Sequence, residues 1–511
     1  MVASRTVYTL KFKLPWHFHS LHNIIAVRAK AHFYLTIKTV LTFLALNALF
    51  GLATATVRET EAKVENLQPL VVHPYCRCNE DICQPYVRGI VDITAILRTA
   101  AGLPEGACVF NPAISRLAGN IFCVFARVYI ARSTERRCIP GQLDRPPFMD
   151  AWNGTLANLL AVIRLRGGRQ SGNVTASVLG HRYLNEFNYE DGRLFHDQRG
   201  RLFLYLSLPF GKYGGARASV NTVFRVLITC RRTPGPNKCD PHLGPPRLLR
   251  YDRSIAWDKN WVPWNGTNMM SYSHYGPFGP HSVFNWSTYR DPVPHARFYS
   301  MSNQTFFSAF SKTFGRLMHL SGGTPAILEP SLTTYLAVGH MRVHPGCLHP
   351  ESIPGLDKVL GTGIRVNCGH MLTLDSQVKG SIPFRTFMYR GPDGNMTKHY
   401  HVDYGLFLYR FTAAPPYTVT HISHGFLPPS EGHFGIVFPS GLERFGPFGE
   451  DYAIAYGDAD QVARLMLMTQ SDVEKLLVPL LLMEKRISGF SVCTLPFADN
   501  VPAPLRLPKR R

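Results

Sequence analysis

Glu190 and Asp191 stand side by side just before Arg193, in the run Glu190-Asp191-Gly192-Arg193 within His181 to Phe203. An arginine near a carboxylate lowers its pKa and partial burial raises it, so an acid placed this way is tunable for proton transfer. An ion pair on a solvated surface is the commonplace alternative. The rest of the chain decides between them.

Four further segments carry residue types suited to a polar ligand. Val109 to Arg127 places Asn111 and Arg116 at an expected turn and ends an apolar run on Arg127. An arginine in that place lines a cleft or caps a sheet edge. Lys259-Asn260 precede Trp261-Val262-Pro263-Trp264. Lysine beside asparagine can hold an anion and hydroxyls, and aromatic faces stack on sugar C–H faces; a loop packed by its tryptophans fits equally. Ser321-Gly322-Gly323-Thr324 opens a tight turn before a strand that ends on His340, and its glycines permit close backbone approach to a ligand. Asp458-Ala459-Asp460 follows another strand and reads as a turn-forming pair, since nothing around it suggests a nucleotide-binding fold. No metal or cofactor is expected. Cys76, Cys78 and Cys83 lack a fourth ligand at metal-binding spacing, so disulfides are the better account.

The elements that must position these residues are mostly strands. The 511 residues are 12% aromatic and include 42 glycines and 38 prolines. Short β-rich runs, each bounded by Gly, Pro, Asn or Asp, recur at 121–130, 201–208, 223–229, 334–343, 401–411, 434–438 and 452–456. Helical periodicity is confined to 91–100, 459–468 and 471–485. No βαβ alternation or G-x-G-x-x-G is present, so a doubly wound nucleotide-binding fold is disfavoured. A sandwich, barrel or propeller remains.

The N-terminal part predicts the compartment. Residues 1–32 form a basic tail, and 33–57 form an apolar run that reads as a transmembrane signal anchor rather than a cleaved leader, because a leader ending at the small residues Ala53-Thr54-Ala55 would exceed fifty residues against the usual ~15–30. Positive charge before the run places the remainder on the lumenal side of the endoplasmic reticulum or Golgi membrane, as a single-pass type II protein. There 58–104 is expected to form a stem and cysteine-tied segment, 105–495 the main domain and 496–511 a basic tail. All eleven cysteines lie beyond the anchor, and six N-x-S/T sequons begin at Asn153, Asn173, Asn265, Asn285, Asn303 and Asn395. Both facts suit an oxidising lumen. A net charge of +21 suits an anionic partner. Nucleic acid is not expected, because the basic residues are scattered and form no recognition motif.

Taken in order, the segments resemble glycoside hydrolase family 130, the β-mannoside phosphorylases and hydrolases, and the related β-1,2-mannosyltransferases. Phe110-Asn111-Pro112-Ala113 with Phe125-Ala126-Arg127 is similar to the family's first turn and strand, and Glu190-Asp191-Gly192-Arg193 to its acidic motif. Lys259-Asn260, Gly322-Gly323-Thr324-Pro325-Ala326-Ile327 with Val338-Gly339-His340, Ile436-Val437-Phe438-Pro439-Ser440-Gly441 and Tyr456-Gly457-Asp458-Ala459-Asp460 continue the series. Gly192 replaces the family's proline, Val338 the tyrosine before its histidine, and Met341 the glycine after it. The resemblance implies an all-β, five-bladed β-propeller. It implies Asp191 as the catalytic acid, supported by Glu190 and oriented by Arg193. It further implies that Asn111 and Arg127 contact sugar, that Lys259 and His340 hold phosphate, and that Asn260 and Asp460 complete the substrate-binding set. The implied activity is an inverting transfer of a sugar, mannose, from a sugar phosphate or nucleotide-sugar donor to a glycan acceptor. A mannoside phosphorylase or hydrolase, or a propeller lectin without chemistry, are the alternatives.

Overall fold

Apolar residues alternate or run continuously in short segments here, and such segments bury their faces by stacking sheet on sheet. The computed structural model describes residues 87–131, 154–167, 174–184, 189–208, 222–232, 239–248, 260–272, 281–285, 297–314, 318–343, 387–390, 396–399, 403–428, 437–446, 449–458, 460–485, 487, 490 and 492–494. The anchor, the stem up to residue 86, Lys259 and the 496–511 tail lie outside the described residues. Among the described residues no helix is long and apolar enough to cross a membrane.

Strand β1 (Gly89–Asp92) comes first and waits for a partner from the far end of the chain. A meander of β2 (Cys108–Ala118), β3 (Ile121–Ala131), β4 (Gly154–Arg166) and β5 (Thr175–Leu184) forms one sheet. The next holds β6 (Glu190–His196), β7 (Leu202–Leu208), β8 (Thr222–Arg232), β9 (Cys239–Leu243) and β10 (Arg247–Leu248). A third contains β11 (Val262–Pro263), β12 (Met269–Tyr272), β13 (His281–Asn285) and β14 (Arg297–Ser302). The fourth is built on β15 (Met318–Ser321), β16 (Ile327–Leu328) and β17 (Thr334–Val343). A separate hairpin of β18 (Phe387–Arg390) and β19 (Met396–His399) precedes its remaining members, β20 (Asp403–Thr412), β21 (Val419–Ile422) and β22 (Gly425–Leu427). The last sheet joins β23 (Val437–Phe445), β24 (Asp451–Asp458) and β25 (Val462–Thr469) to β1. Two short strands, β26 (Val478–Pro479) and β27 (Val492–Thr494), return to the fourth sheet and make it eight-stranded.

Apolar layers between consecutive sheets hold this arrangement together. Phe125 and Leu160 meet Leu194 and Leu204; Phe203 and Tyr205 meet Trp261 and Phe284; Trp264 meets Tyr335 and Phe411. Leu336 and Leu408 meet Tyr452 and Ile454, and Ala455 and Leu465 return to Val124 and Leu159. The circuit closes on itself, as in a propeller. The expectation of a five-bladed propeller is corrected: four sheets follow a four-strand path and form four blades, whereas the eight-stranded sheet is a composite that is not a simple blade.

Two helical expectations also change. Residues 462–469 form β25, because their apolar side chains pack on both faces of a central strand. Residues 470–485 form two helices, Gln470–Leu476 and Leu480–Lys485, separated where Pro479 lacks the amide a continuous helix needs. The expected 91–100 helix is Thr94–Ala100, preceded by β1.

Asp472 anchors the ring closure. It is fully buried, accepts from Arg88 Nε at 2.9 Å and from Thr469 Oγ1 at 2.6 Å, and its amide donates back to Thr469 at 3.1 Å, an N-terminal cap. Asp472→Ala is expected to cost about 1–3 kcal/mol, read as a lowered midpoint in chemical or thermal unfolding.

Candidate active site

The first strands of three sheets carry a β-bulge near the same end. The registers break between Phe110 and Ala113 on β2, between Glu190 and Arg193 on β6, and between Pro439 and Gly441 on β23. A bulge leaves its extra residue outside the ladder and re-aims its side chain. On β2 and β6 the displaced positions include Asn111 (φ 47°) and Asp191 (φ 48°). This left-handed region is tolerated best, among residues with a Cβ, by Asn and Asp. Asn111 therefore lies within a bulged strand rather than in the expected turn. Ser440 Oγ donates to Pro112 O at 2.9 Å and ties the bulge of β23 to that of β2.

Asp191 is buried, with its Oδ1 3.9 Å from Arg127 Nη1, while Glu190 Oε1 accepts from Arg127 Nη2 at 3.2 Å. Arg127 is itself buried in mid-strand and lies over the Phe110 ring. Its guanidinium thus serves both carboxylates. Asn158 fixes the approach to the pair: its Nδ2 donates to Tyr189 O (2.9 Å) and its Oδ1 accepts from Tyr189 N (2.8 Å).

Arg193, expected to orient the acid, bonds the backbone of its bulge. Fully buried, it donates through Nη1 to the main-chain oxygen of Asp191 (2.6 Å), through Nε to Gly323 O, and through Nη2 to Asn260 Oδ1 (3.4 Å). It holds the bulge backbone and ties it to two further segments. Gly192 also has a physical reason: a Cβ there would lie 2.3 Å from Phe125 Cδ1. The motif's glycine is required by close packing between neighbouring sheets.

His340 sits inside β17, buried, with Nδ1 2.7 Å from Gly322 O. Only a donor can make that bond, so Nδ1 carries the proton and Nε2 is an acceptor. Burial, aided by the charges of Arg342 and Arg193, pushes its pKa down to about 3. The expected phosphate-holding histidine is a neutral ring, and Asp191 is among the charges it feels. Asp460 is buried in the turn after β24 with φ 53°, where Gln461 N donates to Asp458 O at 3.0 Å and Asp458 pairs with Arg464 at 2.7 Å. Gly457, three residues earlier, packs on Asn111: a Cβ there would fall 1.8 Å from Asn111 Oδ1. Arg127, Glu190, Asp191, Arg193, Asn260 and His340 are thus linked by contacts or electrostatics, while Asn111 packs on Gly457, three residues before Asp460.

No protein-family model matches the chain, and no curated protein matches it. Among solved structures, it is similar to a glycosyl hydrolase from Bacteroides ovatus, with 12% identity, coverage of 72% of this chain and 85% of that one, and a TM-score of 0.37. A mannose phosphorylase from Leishmania mexicana in complex with phosphate ion matches at 10% identity, 77% and 90% coverage and a TM-score of 0.35. A GDP-Man-dependent mannosyltransferase from Leishmania mexicana matches at 10% identity, 76% and 91% coverage and a TM-score of 0.32. Scores this low assign no family. The functional argument stays with the chain's own residues.

One buried acid escapes the sequence patterns. Glu443 on β23 lies beyond the bulge, toward the other end of the same strands, with Oε1 accepting from Ser115 Oγ at 3.0 Å; His196 Nδ1 is 3.4 Å from that hydroxyl. Burial pushes the Glu443 carboxyl up from 4.5 to about 7. The folded protein therefore binds a proton that the unfolded chain releases at lower pH. Its stabilising contribution is complete below about pH 4.5 and is lost as pH rises through about 7. Unfolding free energy should fall by roughly 3 kcal/mol across that window from this group alone. In Glu443→Gln that fall should vanish from the pH dependence of urea midpoints.

Proposed function

We propose that this chain is an inverting, carbohydrate-active enzyme that transfers a sugar, mannose, from a phosphate-activated donor to a glycan acceptor. The observation that carries the reading is the bulge at Asp191, which holds a buried carboxylate in a left-handed conformation beside the Arg127 guanidinium. Sparsely populated backbone states persist where the surroundings over-determine them, and they cluster at sites of chemistry. Arg193, Asn158 and Phe125 supply those surroundings here.

In the proposed step Asp191 accepts the proton of an acceptor hydroxyl as its oxygen attacks the anomeric carbon. The bond from that carbon to the donor phosphate breaks, and phosphate leaves with the electron pair. One displacement inverts configuration. In the reverse direction, phosphorolysis, protonated Asp191 gives its proton to the glycosidic oxygen as phosphate attacks. A two-carboxylate hydrolysis fits less well, because it needs a second acid across the sugar from the first. Glu190 is instead sequence-adjacent and engaged with Arg127 at 3.2 Å.

A lumenal setting accords with the disulfide between Cys230 and Cys239 and with the disulfide-bonded state of Cys108. Cys123 is a buried free thiol whose pKa is pushed up to about 12, so it is chemically quiet. Sequons differ in how available they are. Asn303 bonds Val419 through both amide atoms, at 2.9 and 2.7 Å, and a glycan on Nδ2 would break that pairing.

Asp191→Asn keeps the side chain's size and removes its basicity. With mannose 1-phosphate or GDP-mannose as donor and a mannoside acceptor, turnover should fall at least about a hundredfold while the unfolding midpoint stays within a few degrees. Undiminished product formation would sink the assignment. Glycan binding without product from any donor, in the native chain, would support the lectin alternative instead.

A further inference from the structure

His340 supplies no cation, so charge for a phosphate group beside it has to come from other residues, and among the described residues one in the next row shares its face of the sheet. The register identifies the candidates. Ser321, His340 and Leu406 form one cross-strand row over β15, β17 and β20, and His319, Arg342 and Tyr404 form the next row on the same face. Arg342 is the permanent cation of these rows, placed just before β17 ends at Val343.

Its neighbours hold it there. The guanidinium carbon lies 5.6 Å from the Tyr404 ring centroid, and that ring stacks on His340 at 5.5 Å with 23° between planes. Burial together with the Arg342 charge lowers the pKa of His319 to about 4. Two neutral imidazoles, a phenol, a serine hydroxyl and one guanidinium make a polar face with no carboxylate in these two rows. Cations stacked on aromatic rings lose little freedom when they take an anion, and arginine's planar fork matches phosphate geometry.

We propose that Arg342, flanked by His319 and Tyr404, binds the distal phosphate of a nucleoside diphosphate-sugar donor. The two rows stand two residues apart along β17, roughly 7 Å. A phosphate bonded to the reacting sugar beside Asp191 and His340 leaves Arg342 for the next anionic group outward, which a diphosphate has and a sugar 1-phosphate lacks. This rests on the transfer reading and narrows its donor class.

Calorimetric titration of the full chain with GDP-mannose, GDP and mannose 1-phosphate tests it, in the native protein and in Arg342→Gln. The expected result is at least a tenfold weakening for GDP-mannose and GDP, with mannose 1-phosphate unchanged within twofold. Equal losses for all three probes, or no loss for any, overturn the proposal. If Arg342→Gln fails to fold, as shown by its near-ultraviolet circular dichroism, Arg342→Lys provides the comparison. Lysine keeps the charge without the planar fork, and a selective weakening of the two diphosphates is again required. Native protein that binds mannose 1-phosphate but neither diphosphate overturns this inference and leaves the transfer reading standing. Native protein that binds none of the three overturns both.

Discussion

The site depends on a buried guanidinium that bonds two main-chain oxygens. Removing an arginine from water costs several kcal/mol unless its donors are satisfied, and Arg193 satisfies two of them with the main-chain oxygens of Asp191 and Gly323. Those atoms belong to the second sheet and to the turn between β15 and β16 of the fourth, and Asn260 brings in the segment that leads to the third. One side chain thus sets the spacing of three separate pieces of chain. Lysine, a single flexible point donor, could not make the same divergent set of bonds.

Around that tie, the bulges do what regular strands cannot. A ladder without them would point successive side chains alternately into neighbouring sheets, and Asn111 and Asp191 would be spent on packing. Displacing them from the ladder turns the two residues out of the stacked faces. The surrounding charges then act on shared neighbours: Arg127 meets both acids, while burial, reinforced by Arg342 and Arg193, keeps His340 unprotonated. Positive charge is concentrated in arginines, which cannot lose it, and the histidines among them remain neutral.

Much of this was legible in residue types and little of it in geometry. The 334–343 strand is found at its expected bounds because turn-forming residue types flank its largely apolar run in the sequence. Val462–Thr469 defeated the same reasoning: Val462, Leu465, Met466 and Met468 satisfy helical spacing as well as they satisfy a strand buried on both faces, and packing between sheets decided the matter. The acid pair could be picked out by its arginine, yet nothing local shows that the partner guanidinium is Arg127, 63 residues earlier. Asn158, Glu443 and Arg342 carried no signal because each gains its importance from residues across a sheet or in another one. In the sequence Gly192 is a departure from the family's proline; only the Phe125 ring beside it shows a steric requirement.

Strand β1 pairs with β25 from Gly89↔Leu467 to Asp92↔Arg464, so the fourth strand of the last sheet is synthesised long before its partner. During translation it must remain without its partner while more than three hundred residues emerge. The ring is therefore completed by a single late, long-range event, and local sheets formed earlier expose the faces that the closing sheet will cover. Until β25 has emerged and joined β1, the edge that β1 presents stays open to intermolecular strand pairing.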